Sequence, residues 1–263
     1  MVFTSIAAKT DLGLVRQMNE DSALHSNSLI AVCDGMGGAI GGEIASKLAI
    51  HLLSEFIPLL RSAELDEDSK AEILRSALLD VDNKIASHIK EQEELAGMGT
   101  TLTALSPIGK FIALLHIGDS RAYRIRGKEI LQLSQDHTVV QELFNQDRIK
   151  KDEIKDHPQR SMLTQVLMGR GIEDPILQLF PVEKSDLFLL CSDGLSNVLD
   201  DQEILSIVLE GSIESAANNL VTAVRSSGAP DNVTVVLARI DNLEDSDLEK
   251  TADLIEFLGA AHG

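Results

Sequence analysis

Leu29-Ile-Ala-Val-Cys-Asp-Gly-Met-Gly-Gly-Ala-Ile-Gly-Gly42 is the stretch on which the reading of this chain turns. Its first five residues form an apolar run of strand formers that stops at one carboxylate, Asp34. Five of the next eight residues are glycine, so the backbone can turn tightly and approach closely whatever Asp34 holds. From Glu43 a one-sided helix is expected. A carboxylate at a strand end beside glycines suits a hard cation, although a tight turn with a solvated Asp reads the same way. Two nucleotide readings fail. A P-loop needs Lys after Gly42, where Glu43 stands, and a dinucleotide fingerprint from Gly35 needs glycine at Ile40.

Outward from this loop, the apolar spacing predicts helices over 43–61 and 67–94, an antiparallel pair covering one face of a sheet. Residues 2–9 and the runs up to Cys33 read as strands. Between 99 and 133 the period changes to two, and strands over 100–105, 111–117, 122–125 and 129–133 with short turns predict an antiparallel meander. Residues 139–180 read as an irregular insertion over the domain edge. A strand over 186–191, helices over 201–210 and 213–226, and a last strand over 233–240 follow. The acidic end, 242–263, is expected to carry a helix over 245–259.

Composition bounds the function. The 263 residues suffice for a core without disulfides, and Cys33 and Cys191, both in apolar runs, read as buried strand residues. The net charge of −19 argues against nucleic acid and against anionic membrane as partners. No apolar run reaches the roughly 20 residues of a membrane span, and Met1-Val-Phe-Thr-Ser has no basic start like that of a secretory signal. Cytoplasm is the expected location.

Four aspartates stand at the turns of apolar strands: Asp34 before Gly35, Asp119 after Gly118, Asp193 before Gly194 and Asp231 before Asn232. Each alone is an ordinary turn former. Together they lie where the loops of a sheet can bring them into one cleft, a donor set suited to magnesium or manganese.

The chain resembles the bacterial branch of the metal-dependent serine/threonine protein phosphatases, the type-2C class. The matching pieces are Thr10-Asp-Leu-Gly-Leu-Val-Arg-Gln-Met-Asn-Glu-Asp21, Val32-Cys-Asp-Gly-Met-Gly-Gly38, Gly99-Thr-Thr-Leu102 and Gly118-Asp-Ser-Arg-Ala-Tyr123. In the same order follow Gln135-Asp-His-Thr138, His157-Pro-Gln-Arg160, Leu190-Cys-Ser-Asp-Gly-Leu-Ser196 and Asp231-Asn-Val-Thr-Val235.

This resemblance implies an α+β fold, a four-layer αββα sandwich of two antiparallel sheets flanked by helix pairs. The phosphatase domain would span 1–241, with residues 139–180 as its flap. The implied reaction is hydrolysis of phosphoserine and phosphothreonine by a metal-bridging hydroxide. Carried over by residue, Asp34 bridges two Mn2+ or Mg2+ ions, the Gly35 carbonyl serves one of them, and Asp193 and Asp231 complete the other. Glu20 is held through water, with Asp21 as a support. Asp119 with Asp193 binds a third, weaker ion, and Arg16 grips the phosphate. His137 and His157 are expected to be structural. The implied partners are a phosphoprotein substrate and a cognate serine/threonine kinase, and the protein is expected to be a monomer. The rival from another class is an inactive phosphoprotein-binding module, which loss of a metal Asp or of Arg16 would favour. A response-regulator receiver is excluded, because Asp21 and Asp34 are too close in sequence for a crossover helix between them. Met36 and Ala39 stand where relatives carry histidine, and Met168 with Gly169-Arg-Gly171 lengthens the usual flap.

Overall fold

A computed structural model describes residues 1–37, 41–172, 177–243 and 254–262. In chain order these form β1 (Ser5–Asp11), β2 (Asp21–His25), β3 (Ile30–Met36), α1 (Gly42–Glu55), α2 (Ile57–Arg61), α3 (Glu67–Glu91), β4 (Gly99–Thr100), β5 (Leu102–Ile108) and β6 (Phe111–Ile117). The second half gives β7 (Arg121–Arg126), β8 (Glu129–Gln132), α4 (Val139–Asn145), β9 (Leu177–Pro181), β10 (Asp186–Cys191), α5 (Asp193–Ser196), α6 (Asp201–Val208), α7 (Ile213–Ser226), β11 (Val233–Ile240) and β12 (Glu256–Gly259).

Side chains alternate across each strand, and here both faces of the central strands are covered. Ile30 and Val32 of β3 meet Phe188 and Leu190 of β10 and Val236 and Ala238 of β11 between the two sheets. Ala31 and Cys33 point the other way, under Ala45, Ala49 and Leu53 of α1 and Leu74, Leu78 and Ile85 of α3. On the far side Leu189, Val235 and Leu237 lie under Ile204 of α6 and Leu220 and Val224 of α7. The result is the expected αββα sandwich. One sheet has the order β1-β11-β10-β7-β8 and the other β12-β2-β3-β5-β6-β9, with β4 beside β3. Cys33 and Cys191 are buried and free, as expected.

Three expectations need correction. The four strands over 100–133 are not one meander: β5 and β6 pair in one sheet, whereas β7 and β8 pair in the other. The link Gly118–Ser120 carries the chain across the sandwich, and Gly118 takes φ 107° to do so. The helix over 43–61 is broken at Phe56, because Pro58, near the start of α2, has no N–H to continue the ladder.

The third concerns the acidic end. The helix expected over 245–259 falls partly on 244–253, outside the described residues, but Glu256–Gly259 is a strand. It pairs antiparallel with β2, from Glu256 opposite His25 to Gly259 opposite Ser22, and satisfies the backbone groups of that edge. A run this short has no period to distinguish helix from strand. Phe257 also stacks on His51 of α1 with ring centroids 4.7 Å apart, and Ala261 is buried. Removing residues 254–263 is therefore expected to lower the melting temperature by several degrees. An unchanged thermal scan would show the strand to be dispensable.

Candidate active site

β3 does not stop at Asp34. It runs two residues further because Gly35 and Met36 pair with Thr100 and Gly99 of β4. This second strand grips the Asp34 backbone. The Asp34 N–H donates to Thr101 Oγ1 (2.9 Å), and its carbonyl accepts from the Thr101 N–H (2.9 Å) and from Thr100 Oγ1 (3.0 Å). The Thr101 hydroxyl also lies 2.7 Å from Ser120 Oγ, so one threonine joins the Asp34 strand to the turn that carries Asp119. Gly35 is required by space: a Cβ there would stand 2.1 Å from the Gly42 carbonyl oxygen and 2.6 Å from that of Glu20.

The other carboxylates arrive from the second sheet and its loops. Asp193 opens α5 directly after β10 and accepts a hydrogen bond from Asn197 Nδ2 (2.9 Å). Asp231 stands two residues before β11. Asp119 lies in the crossing link, whose Gly118 N–H donates to His137 Nδ1 (3.1 Å). His137 lies against His116, which bonds the Thr103 hydroxyl and the Gln135 carbonyl, so the expected structural role of His137 holds. Loss of hydration on burial pushes the His116 pKa down to about 3 and lowers that of His137 as well.

Beneath the cluster lies Asp21, opposite Asp34 in the β2–β3 ladder and fully buried. Its Oδ2 accepts from Ser192 Oγ (2.7 Å), and its Oδ1 has no hydrogen-bond partner among the described residues. Ser192 also accepts the Thr234 N–H (3.0 Å), so this serine ties β2 to both β10 and β11. Glu20 is half-buried beside Asp21. Its N–H donates to Asn232 Oδ1 (2.8 Å), and Asn232 Nδ2 donates to the carbonyls of Leu12 (2.8 Å) and Met18 (3.0 Å).

Asn232, Ser192 and Thr101 are the positioning residues that the sequence did not single out. Their one signal is position: each adjoins a strand and, apart from Thr101, a site aspartate. Arg16 stands in the exposed loop that Asn232 fastens. Its Nη2 donates to Asp231 Oδ2 (2.8 Å), and its Nη1 lies 3.7 Å from Glu20 Oε2. All seven site residues expected from the sequence thus fall at one end of the sandwich.

Electrostatics show how close the acids are. Withdrawal from water and the charges of Asp21, Asp193, Asp119 and Asp231 raise the pKa of Asp34 well above the usual carboxylate range. Burial, with Asp193 and Asp136 nearby, pushes Asp119 up to about 7. Asp193 is raised by burial and by the charge of Asp231. Burial above all pushes Asp21 up to about 7. Such a cluster takes up protons or cations. Among the described residues no three acidic, histidine or cysteine side chains close into a cage by themselves.

A cleft of about 700 Å³ leads away from Asp119 and Asp193 between the insertion and α5–α6. Its walls include Thr138, Lys151, Lys155 and Arg160 on one side and Asp200 and Asp201 on the other.

The family model described as Protein phosphatase 2C matches residues 15–232. The serine/threonine protein phosphatase PstP of Mycobacterium tuberculosis is 40% identical over 238 residues, covering 89% of this chain and 44% of that protein. The chain thus spans less than half the length of that relative. The serine/threonine phosphatase stp of Listeria monocytogenes is 32% identical over 243 residues, with 89% and 94% covered. The crystal structure of the catalytic domain of PstP in complex with 2 manganese ions superposes with a TM-score of 0.82 at 36% identity, covering 92% of this chain and all of that one. With its sequence and its sandwich in agreement, this chain belongs to the protein phosphatase 2C family.

Proposed function

We propose that this chain is a metal-dependent protein phosphatase acting on phosphoserine and phosphothreonine. The observation that carries the reading is the convergence of Asp34, Asp119, Asp193 and Asp231 from both sheets on one spot, with the Arg16 guanidinium against Asp231. The donors fit Mn2+ or Mg2+: all are oxygens, burial raises the proton affinity of Asp34, Asp119 and Asp193, and Asp21 Oδ1 is buried beneath them without a partner among the described residues. Asp34, the Gly35 carbonyl, Asp193 and Asp231 would hold two ions, with Glu20 acting through water, and Asp119 with Asp193 a third, weaker one. Such ions, when bound, supply a hydroxide nucleophile at neutral pH and offset charge at phosphorus.

The protein's own part is to fix the donors and the substrate. Thr100 and Thr101 lock the Asp34 backbone, and Asn232 and Ser192 hold the Glu20–Asp21 end against β10 and β11. Arg16 offers a planar fork matched to two phosphate oxygens, which lysine cannot copy. The cleft of about 700 Å³ beside Asp119 and Asp193 would receive the residues flanking the phosphate. All of these groups come from one chain, so a monomer suffices. The matching partner is a serine/threonine kinase in a cytoplasmic signalling pair. Among the described residues no helix is long and apolar enough to cross a membrane. The inactive binding module is disfavoured, since no expected site residue is missing.

Phosphate release from a phosphothreonine peptide, with and without manganese, tests the reading. Release that requires the metal and stops in EDTA is expected, and a protein that binds the peptide without releasing phosphate would overturn it. Asp119 supports a sharper test. Met36, at the exposed end of β3, has no proton to give a leaving alkoxide, and position 39 lies outside the described residues. General acids contribute about 10²–10⁴-fold, and p-nitrophenolate leaves without one. Asp119→Ala is therefore expected to keep its fold and two ions but to lose phosphopeptide turnover far more than p-nitrophenyl phosphate turnover. A constant ratio of the two rates would reduce Asp119 to a turn residue.

A further inference from the structure

We infer that Asp82 of α3 is a positioning residue for the metal-binding strand, which it steadies through the root of the flap. It is buried, outside the cluster, and none of the site motifs includes it. Its two oxygens accept three backbone N–H groups from the flap's return: Met168 (3.1 Å), Gly169 (2.7 Å) and Gly171 (2.7 Å). Gly169 and Gly171 take φ of 71° and 86°, and a Cβ on Gly169 would lie 2.6 Å from the Ala86 backbone. The lengthened Met168-Gly-Arg-Gly171 run is thus shaped to wrap one carboxylate.

The next residue back, Leu167, exchanges both backbone hydrogen bonds with Thr100 (3.0 Å each). Thr100 in turn pairs with Gly35 and donates to the Asp34 carbonyl. An unbroken hydrogen-bonded path therefore runs from Asp82 to the backbone of Asp34 and Gly35. Charge-assisted bonds to a buried carboxylate are among the strongest the chain makes, and three converge here. Neutralising Asp82 releases Leu167–Gly171, leaves β4 clamped from one side only, and loosens the strand that presents Asp34.

The inference rests on the reading that Asp34 and Gly35 hold metal, and it is tested by calorimetric titration of manganese into wild type, Asp82→Asn and Leu74→Ala. Leu74→Ala opens a cavity in the same helix and serves as a control for lost stability alone. Asp82→Asn is expected to weaken manganese several-fold, less than the about 10–100-fold typical of groups that contact a metal ligand directly, while Leu74→Ala leaves the affinity unchanged. Equal affinities in wild type and Asp82→Asn, or equal weakening in both variants, would overturn the role. A wild type that binds no manganese would instead sink the metal reading itself.

Coupling is reciprocal, so the wild-type protein provides a check that needs no variant to fold. Manganese should slow hydrogen exchange at the amides of Met168, Gly169 and Gly171, although none belongs to the proposed metal site. Exchange there that ignores the metal would also overturn the role.

Discussion

Asp34→Ala is expected to abolish phosphate release and, in the same protein without metal, to raise the melting temperature. The two effects have one cause. Asp34 stands where four other aspartates raise its proton affinity, so its charge is unfavourable until cations neutralise it. Removing it relieves that repulsion and takes away the donor proposed to serve both ions. The loss of rate should exceed the about 10²–10³-fold that follows removal of a single oxyanion donor. Asp34→Asn, which keeps the shape and the Thr101 grip on the backbone, should behave the same way, so a packing defect is not the explanation. The checks are turnover of a phosphothreonine peptide and a thermal scan in EDTA. An active variant would refute the proposed role, and a lower metal-free melting point would refute the electrostatic account.

Without metal, the protein is also expected to lose stability steadily as pH rises from about 4 to about 7. Burial pushes Asp21 and Asp119 up to about 7, against about 3.9 for a free aspartate, and raises Asp34 and Asp193 as well. A carboxyl group with a raised folded pKa binds its proton more tightly in the native state than in the unfolded chain. Its unfavourable contribution is absent below the unfolded pKa, grows as pH passes that value, and is complete above the folded one. For a domain of this size each kcal/mol moves the melting temperature by about 2–4 °C, so the fall over this range should exceed roughly 5 °C. Saturating manganese should remove most of it, because ions that bind only the folded state stabilise it by mass action. Thermal scans at pH 5 and pH 8, with EDTA and with manganese, provide the comparison. A metal-free protein as stable at pH 8 as at pH 5 would show that the carboxylates are not clustered.

How much of this was legible in the sequence depended on range. The strands of the sandwich interior read clearly because both of their faces are buried, which turns β3, β10 and β11 into continuous apolar runs. The long helices read clearly because each buries one stripe. Asp34, Asp119, Asp193 and Asp231 stood out because turn chemistry and glycine spacing are local properties. The edge strand β12 did not, since Glu256–Gly259 acquires its conformation only from the open edge of β2. The crossing at Gly118–Ser120 was missed for a related reason: a two-residue hairpin and a step between sheets use the same turn residues.

The amino-acid sequence by itself carried the family resemblance, the layer order which that resemblance implies, and the identity of the acidic residues, because these rest on motifs a few residues long. Only the tertiary structure decided which groups hold those acids in place. Asn232 reaches Leu12 and Met18 across more than two hundred residues, Ser192 reaches Asp21, and Asp82 reaches Gly171. Hydrogen bonds between distant segments leave no period or spacing in the chain. Their partners are chosen when the two sheets close on one another, and it is that closure that brings four ordinary turn aspartates to one end of the sandwich.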